Sequence, residues 1–329
     1  MKNILAVAFC FLVVLNGFSQ QKNYSFLKTI PVNDELGWDL LTVDETNRNV
    51  FLSHATKVLV ANADNDSIIA EIPNTQGVHG IAICNKLNRG FISCGKTNSV
   101  TVFDLKTFKI IDTVAVTGKN PDDIRYDAYS NNVFVFNGRS NNATVLNAEN
   151  LKVVATVELP GKPEFAASDE KGKVFVNLED KSQISEIDVN QLKVVKTFSI
   201  APGEEPSGLA IDKKNNLLFS VCDNKTLTVF DIKNEKVIAT VEIGKGPDGV
   251  AFDENTQTIF SSNGEGNVTI IKQQTPSSYE IIQTLATQKG CRTIAEDKVT
   301  KKIYLPAATF DGDTRKIINN SFKILVYKP

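Results

Sequence analysis

Short apolar or alternating segments, each bounded by polar turn residues, follow one another along almost the whole chain. Residues 206–246 show the pattern most clearly, with four successive segments written SGLAID, LLFSVC, TLTVFD and VIATVEI. Segments of this length that are rich in Val, Ile, Leu and Phe and end at Asp, Asn, Lys or Gly predict β-strands. No 3.6-residue periodicity is sustained, which argues against a solenoid of helix pairs.

The four-strand unit recurs along the chain with a period near 40 residues. Aligned on their first segment, the units begin at Trp38, Val78, Pro121, Pro163, Pro206, Pro247 and Cys291, which places the starts 40 to 44 residues apart. This period with four strands per unit is typical of β-propeller blades. The sequence therefore predicts an all-β fold, a seven-bladed β-propeller with four strands per blade.

The two ends of the chain complement each other. Six units contain a recognisable fourth segment, such as VIATVEI, whereas the seventh unit ends without one. A matching segment, SFLKTIPV, lies at 25–32. We therefore predict that the N-terminal strand closes the last blade as its outermost strand and leaves no terminal blade half-built.

When the seven units are aligned, two positions carry the same type of residue in most units for structural reasons. An aromatic residue in each second strand predicts a buried ring between the sheets, formed by Phe51, Phe91, Phe134, Phe175, Phe219, Phe260 and Tyr304. Asp at position seven of the first segment precedes a polar turn in six units, where it is expected to cap the turn through backbone N–H groups. These aspartates are Asp44, Asp127, Asp169, Asp212, Asp253 and Asp297.

The N-terminus predicts export. Residues 1–20 combine a basic start, an apolar run from Ile4 to Leu15 and small residues near Ser19, which is the pattern of a secretory signal peptide. Residues 21–329 then form a single propeller domain, periplasmic or secreted, without a transmembrane segment. The four cysteines outside the signal peptide include no CxxC pair, and we expect buried free thiols.

Composition excludes some classes of function. The chain of 329 residues has a formal net charge of −2 and no basic run, so a nucleic-acid partner is not favoured. The sequence contains no P-loop, GxGxxG or Ser–His–Asp signature.

Candidate chemistry gathers at one end of the predicted channel. Alternating strand direction puts the second-to-third and fourth-to-first connections at the same mouth, where position two of every first segment is polar. The ends of the second strands add further polar side chains. The candidate ligand-binding residues are Asp39, His54, His79, Asp122, Asn137, Glu164, Asn177, Glu179, Glu205, Asp248, Asn263, Glu265 and Arg292.

This set is compatible with several kinds of site. The carboxylates facing Arg292 predict a site for a small polar or cationic molecule. His54 and His79, on adjacent blades, could bind one divalent metal together with a carboxylate, because imidazole and carboxylate suit zinc, manganese or iron. A His–Glu acid–base pair is an equal alternative. The long segment 307–321 of the last unit is expected to shape the mouth.

Blade-specific motifs resemble the YVTN-type β-propellers, and in particular the secreted YncE-like proteins. The motifs include GWDLLTVD at 37–44, GKNPDDIRYD at 118–127, FNGRSNNATV at 136–145, EEPSGLAID at 204–212 and CRTIAEDKVTKKIYLPAA at 291–308. The resemblance covers essentially all of residues 21–329 and implies an exported seven-bladed propeller. It implies no particular reaction, because propellers of one fold serve many functions.

Three functional hypotheses follow from these observations. The first is a protein that binds a small polar ligand at the charged mouth. The second is a metal-assisted hydrolase or lyase, similar to a lactonase, that uses the same residues. The third is a scaffold for a protein partner, which would require exposed apolar patches on the outer strands.

Overall fold

Seven four-stranded antiparallel sheets make up the fold. The computed structural model describes residues 23–32, 34, 36–312 and 316–329. The predicted signal peptide lies outside the described residues. Within these ranges there is no α-helix, and only two 3₁₀ turns occur, at Asn85–Leu87 and Glu179–Lys181. No helix in this part of the chain has the length and apolar character needed to cross a membrane.

Each of the first three blades runs outward from the channel through four consecutive strands. Blade one contains β2 (Leu41–Asp44), β3 (Asn49–His54), β4 (Lys57–Asn62) and β5 (Ile68–Ile72). Blade two contains β6 (Val78–Cys84), β7 (Arg89–Cys94), β8 (Ser99–Asp104) and β9 (Ile110–Ala115). Blade three contains β10 (Pro121–Asp127), β11 (Asn132–Asn137), β12 (Asn142–Asn147) and β13 (Val153–Glu158).

The next three blades repeat this order. Blade four contains β14 (Pro163–Ser168), β15 (Lys173–Leu178), β16 (Gln183–Asp188) and β17 (Lys193–Ser199). Blade five contains β18 (Pro206–Asp212), β19 (Leu217–Cys222), β20 (Thr226–Asp231) and β21 (Lys236–Glu242). Blade six contains β22 (Pro247–Asp253), β23 (Thr258–Asn263), β24 (Asn267–Thr275) and β25 (Ser278–Ala286).

The seventh blade joins the two ends of the chain, as predicted. Its inner strands are β26 (Ala295–Asp297), β27 (Lys302–Ala307) and β28 (Lys323–Lys328), and its outermost strand is β1 (Ser25–Pro31). β1 pairs antiparallel with β28, from Ser25 opposite Lys328 to Pro31 opposite Lys323. The predicted fold, with seven blades of four strands, is therefore confirmed.

The core consists of apolar layers between neighbouring sheets. The seven aromatic residues of the second strands are all fully buried, which confirms the predicted ring. Burying a Phe side chain stabilises the folded state by roughly 1.5–3 kcal/mol, so this one column supplies much of the packing between blades. The cysteines outside the signal segment are free and buried, as expected.

The aspartates at position seven cap the turns at the far end of the channel. Asp44 accepts hydrogen bonds from the backbone N–H groups of Thr46 and Asn47, each at 3.1 Å. Asp212 repeats the arrangement with Lys214 at 3.0 Å and Asn215 at 3.1 Å. The structural explanation of this column is therefore confirmed.

Candidate functional site

Hydrogen bonds between two sets of connections build the candidate mouth. In blades two to six, the residue before the first strand accepts a hydrogen bond at its carbonyl oxygen from an N–H group of the second-to-third connection. Gly95 N–H donates to Gly77 at 2.8 Å, and Gly264 N–H donates to Gly246 at 2.7 Å. Gly77 and Gly246 have φ of 66° and 65°, a left-handed conformation that glycine adopts at little cost. The two sets of connections therefore meet at one end of the channel.

A local bulge at the start of the inner strands separates position two from the regular pairing of the sheet. In blade three, Pro121 pairs with Asn137 and the next regular pair is Ile124 with Val135, so the inner strand has one extra residue. Blades two, four and five show the same shift. A bulge bends its strand and re-aims a side chain, which frees position two to line the mouth.

Polar groups from the neighbouring blades also hold the backbone at position two. Thr293 Oγ1 donates to the carbonyl of Asp39 at 2.8 Å, and Ser262 Oγ donates to that of Arg292 at 2.6 Å. Ser93 Oγ donates likewise to the carbonyl of Asp122. We call the position-two residues the mouth ring; they are Asp39, His79, Asp122, Glu164, Ser207, Asp248 and Arg292.

His79 lies between two carboxylates of the mouth ring. Its Nδ1 is 2.6 Å from Asp39 Oδ2 and 3.6 Å from Asp122 Oδ1. Burial lowers the pKa of His79, but the bond with Asp39 and the charge of Asp122 outweigh burial, so the pKa is raised overall. Burial, together with the negative charge of Asp39, raises the pKa of Asp122 to about 6 against the opposing effect of His79. The protonation of Asp122 therefore depends on that of His79, and the reverse.

Arg292 connects the last blade to the blades on both sides. Its guanidinium lies 2.8 Å from Asp248 Oδ2 and 3.7 Å from Asp39 Oδ1. Burial raises the pKa of Asp248 to about 7 even though Arg292 opposes the shift. Half of the Arg292 side chain is exposed, so the guanidinium is accessible from the mouth.

Blade four contributes a second acidic pair. Lys162 Nζ lies 2.7 Å from Glu164 Oε1 and also bonds to Glu179. Burial raises the pKa of Glu164 to about 8; Lys162 opposes this shift and the charge of Asp122 adds to it. One lysine thus faces two carboxylates, in a part of the mouth already rich in acidic groups.

The chain is similar to known propellers in sequence and in structure. Residues 159–257 match the family model described as the YNCE-like beta-propeller. The matched residues span blades four and five and the first strand of blade six, so this part of the seven-bladed propeller is similar to the YncE-like family. A solved structure of Kuenenia stuttgartiensis hydrazine synthase aligns over 87% of this chain and 96% of that chain with a TM-score of 0.73 and 16% identity. At this identity the likeness concerns the fold alone. The comparison with curated proteins finds no match.

His54 does not join His79 in this propeller, contrary to the predicted two-histidine metal site. His54 is fully buried, and its Nε2 lies 2.7 Å from Asp34 Oδ1. The imidazole stacks on Phe322 with a centroid distance of 4.3 Å and an interplanar angle of 14°. Burial lowers the pKa of His54, although Asp34 opposes the shift. His54 thus belongs to the junction where the two chain ends meet.

Three candidate amides have structural partners. Asn177 is fully buried, and its Nδ2 donates to the carbonyl of Ser207 at 2.9 Å, so it positions a mouth-ring residue of the next blade. Asn137 donates to Asn142 at 2.9 Å, and Asn263 donates to Asn267 at 2.7 Å, each within its own blade. The sequence identified these amides as ligand contacts because it does not show which strand-end side chains point between the sheets.

The other two candidates lie at the rim of the mouth. Glu205 is exposed, and its backbone is in the left-handed conformation with φ of 50°. Its N–H group donates a hydrogen bond to Ser182 Oγ at 3.1 Å. Glu265 is also exposed and accepts a hydrogen bond from Asn267 Nδ2 at 2.6 Å. Both carboxylates add negative charge near the mouth without entering the His79 cluster.

Two cavities adjoin the mouth ring of the propeller. One of about 620 Å³ is bounded by His79 and Asp39 on one side and by Lys96, Lys119 and Arg139 on the other. The second, of about 920 Å³, lies beneath the long segment of the last blade, between Trp38, Phe310 and Ile317. Described residues of the long segment, from Ala308 to Phe310 together with Gly312 and Ile317, therefore line a cavity next to Arg292 of the mouth ring.

Sequence reasoning missed two residues of this region, Lys162 and Asp34. Lys162 precedes the first strand of blade four, just as Glu205 precedes that of blade five. Its position in the repeat therefore predicts a place at the mouth. Asp34 lies outside the repeat, between β1 and β2, and only ring closure brings it to His54.

Proposed function

We propose that this propeller binds a small polar ligand that carries a positive charge at the mouth ring. The observation that carries the proposal is the convergence of carboxyl groups from several blades: Asp39 and Asp122 flank His79, and Asp248 and Asp39 flank Arg292. In agreement with this crowding, the pKa is raised for three carboxyl groups of the ring, those of Asp122, Glu164 and Asp248. In each case burial is the largest cause and a neighbouring carboxylate adds to it. A cation placed among these groups would relieve both costs at once.

The charge balance of the region supports a cationic ligand. Asp39, Asp122, Glu164 and Asp248 belong to the ring, and Glu179 lies beside it. Against these acids stand Arg292, Lys162 and the titrating His79. Two close charges in partly buried surroundings interact more strongly than the same charges in water, so the imbalance favours a cation. The cavity of about 620 Å³ beside Asp39 and His79 is large enough for a small molecule, whose cationic group would face the acids of the ring and not Lys96, Lys119 and Arg139 on the opposite side.

The experiment measures binding of cations and anions of similar size. Choline, agmatine and spermidine are added to the purified protein, with glutarate as the anionic comparison, and binding is followed by calorimetry and thermal unfolding. We expect the cations to bind and to raise the melting temperature, less so at high salt, because screening weakens exposed charge interactions.

A double variant and a matched control locate the effect. D122N/E164Q removes two ring carboxylates with little change in shape and should abolish cation binding. E254Q removes an exposed carboxylate at the opposite end of the channel and should change nothing. Tighter binding of glutarate than of any cation would overturn the proposal and would direct attention to Lys96, Lys119 and Arg139.

A hydrolase or lyase at the same mouth is the second candidate function. The supporting observation is the distance of 2.6 Å between His79 Nδ1 and Asp39, since a carboxylate that orients an imidazole suits general acid–base catalysis. Turnover of simple lactones or esters that is lost in H79Q and retained in H54Q would favour it. The scaffold hypothesis has weaker support, because exposed apolar side chains such as Ile69, Val154 and Val195 are spread singly or in pairs over several blades.

We also propose that the protein acts outside the cytoplasm, in the periplasm or after secretion. The support is the signal-peptide pattern of residues 1–20. N-terminal sequencing of the protein from the exported fraction tests the proposal, and a mature N-terminus near residue 21 is the expected result. A chain that retains Met1 in the cytoplasm would contradict it.

A further inference from the structure

His79, Asp39 and Asp122 form a cluster with the composition of a metal site, contributed by three successive blades. His79 Nδ1 and one carboxylate oxygen from each aspartate all lie within 4.8 Å of one another. The described part of the chain contains no other group of three or more His, Cys, Asp or Glu that meets this distance. Each residue occupies position two of its blade; a bulge at the start of the inner strand positions His79 and Asp122, and hydroxyl groups of neighbouring blades bond to the carbonyl groups of Asp39 and Asp122.

The geometry points to a divalent transition metal bound by His79 Nδ1, Asp39 and Asp122. This inference rests on the proposed function, since it names the cation that the acidic mouth takes. A metal about 2.1 Å from each ligand atom separates neighbouring ligands by roughly 3.0–3.5 Å. The distances from Nδ1 to the two carboxylates, 2.6 and 3.6 Å, bracket that range, so small side-chain rotations suffice.

The donor set selects the kind of ion. One imidazole with two carboxylates suits manganese, iron or zinc, whereas calcium and magnesium prefer oxygen ligands alone. Two aspartates balance a divalent charge, and the neighbouring Arg292 already has Asp248 as its partner at 2.8 Å. The cavity beside His79 and Asp39 leaves room for water or a bound molecule at further coordination positions.

His54 provides an internal control for this assignment. It also contacts a carboxylate, at 2.7 Å from Asp34, but within the described residues no second carboxylate completes a group of three ligands with them. Its ring is enclosed by Phe322 and fully buried. A metal bound by the mouth cluster should therefore depend on His79 and be insensitive to His54.

The experiment titrates Mn²⁺ and Zn²⁺ separately into chelator-treated purified protein and measures stoichiometry and affinity by calorimetry. Electron spin-echo spectroscopy of the Mn²⁺-loaded protein reports directly on imidazole nitrogen. We expect one ion per chain with a nitrogen signal. H79Q should lose the nitrogen signal, and H79Q and D122N should each weaken binding by roughly 100-fold or more, since even partners outside the ligand shell cost 10–100-fold. H54Q should bind as the unmodified protein does, and thermal unfolding verifies that each variant is folded.

The outcomes separate this inference from the proposed function. Binding of agmatine or spermidine without Mn²⁺ or Zn²⁺ binding overturns the metal assignment and leaves intact the proposal that the acidic mouth binds a cationic ligand. Absence of both kinds of binding overturns both. Metal binding that persists in H79Q and D122N, or that is lost in H54Q, places the ion elsewhere and overturns the assignment.

Discussion

The two histidines of this protein have the same kind of partner in opposite surroundings. His54 is fully buried against Phe322 with one carboxylate, and its pKa is lowered. His79 lies at the mouth between two carboxylates, and its pKa is raised. Burial opposes the charged form in both places; the carboxylates around His79 outweigh it, whereas at His54 the single carboxylate of Asp34 is opposed also by the charge of Lys57.

The comparison also separates stability from function. The His54 region joins β1, the start of blade one and the approach to β28, where the ring closes. The His79 region joins three inner strands whose positions are already fixed by their own sheets. We therefore expect substitutions near His54 to affect folding and those near His79 to affect binding.

The largest expected effect is on the packing around His54. Phe322 is 1% exposed, and its ring lies 5.1 Å from that of Trp38 as well as 4.3 Å from His54. F322A should lower the free energy of unfolding by about 3–5 kcal/mol, as truncations of buried Phe do. Urea denaturation measures the change. A loss below about 1 kcal/mol would mean that the junction collapses around the missing ring.

The next largest effect is expected when each histidine is replaced by Gln and the two variants are compared. H54Q removes a buried ring from its stack and disturbs its bond with Asp34, so we expect a loss of about 1–3 kcal/mol. H79Q, at a side chain that is 27% exposed, should cost less than about 1 kcal/mol. Denaturation of both variants under identical conditions makes the comparison. Equal losses would contradict the division between junction and mouth.

Removal of one mouth carboxylate should stabilise the metal-free protein at high pH. The pKa of Asp122 is raised to about 6, so its ionised form opposes folding above that pH. D122N should therefore raise the free energy of unfolding by about 1 kcal/mol at pH 8 and change little at pH 4. Denaturation in the presence of chelator at both pH values tests the sign. A loss of stability at pH 8 would mean that the bond network of His79 outweighs the cost of burying the charge.

The smallest expected effect is a difference in pH dependence at His54. Because its folded-state pKa is lowered, the unfolded chain binds the proton more tightly. The stability that His54 contributes is therefore complete above its ordinary pKa near 6.5 and is lost as the pH falls below that value. The difference in unfolding free energy between the unmodified protein and H54Q should shrink by less than about 1 kcal/mol between pH 8 and pH 5. A difference that grows on acidification would reverse the assigned direction.

The fold was predictable from the repeat because every blade has the same local pattern of strand and turn residues. Seven starts, an aromatic at one second-strand position and an Asp at each turn specify strands and turns without long-range information. The missing fourth strand in the last unit and its copy at 25–32 even predicted the closure, which β1 beside β28 confirms. Position two was also recognisable from sequence, since all its members are polar beside apolar strands.

Only the tertiary structure decided what these polar residues contact. His54 and Asn177 occupy strand ends like other candidates, yet one stacks on Phe322 and the other bonds to the next blade. Asp34 contacts His54 at the junction of the two chain ends. Asp39 and Asp122 contact His79 from the blades on either side of it. The sequence alone specifies a residue's place within its blade, whereas the angle between blades and the bulges decide which side chains meet. The charge cluster at the mouth is therefore a property of the assembled ring.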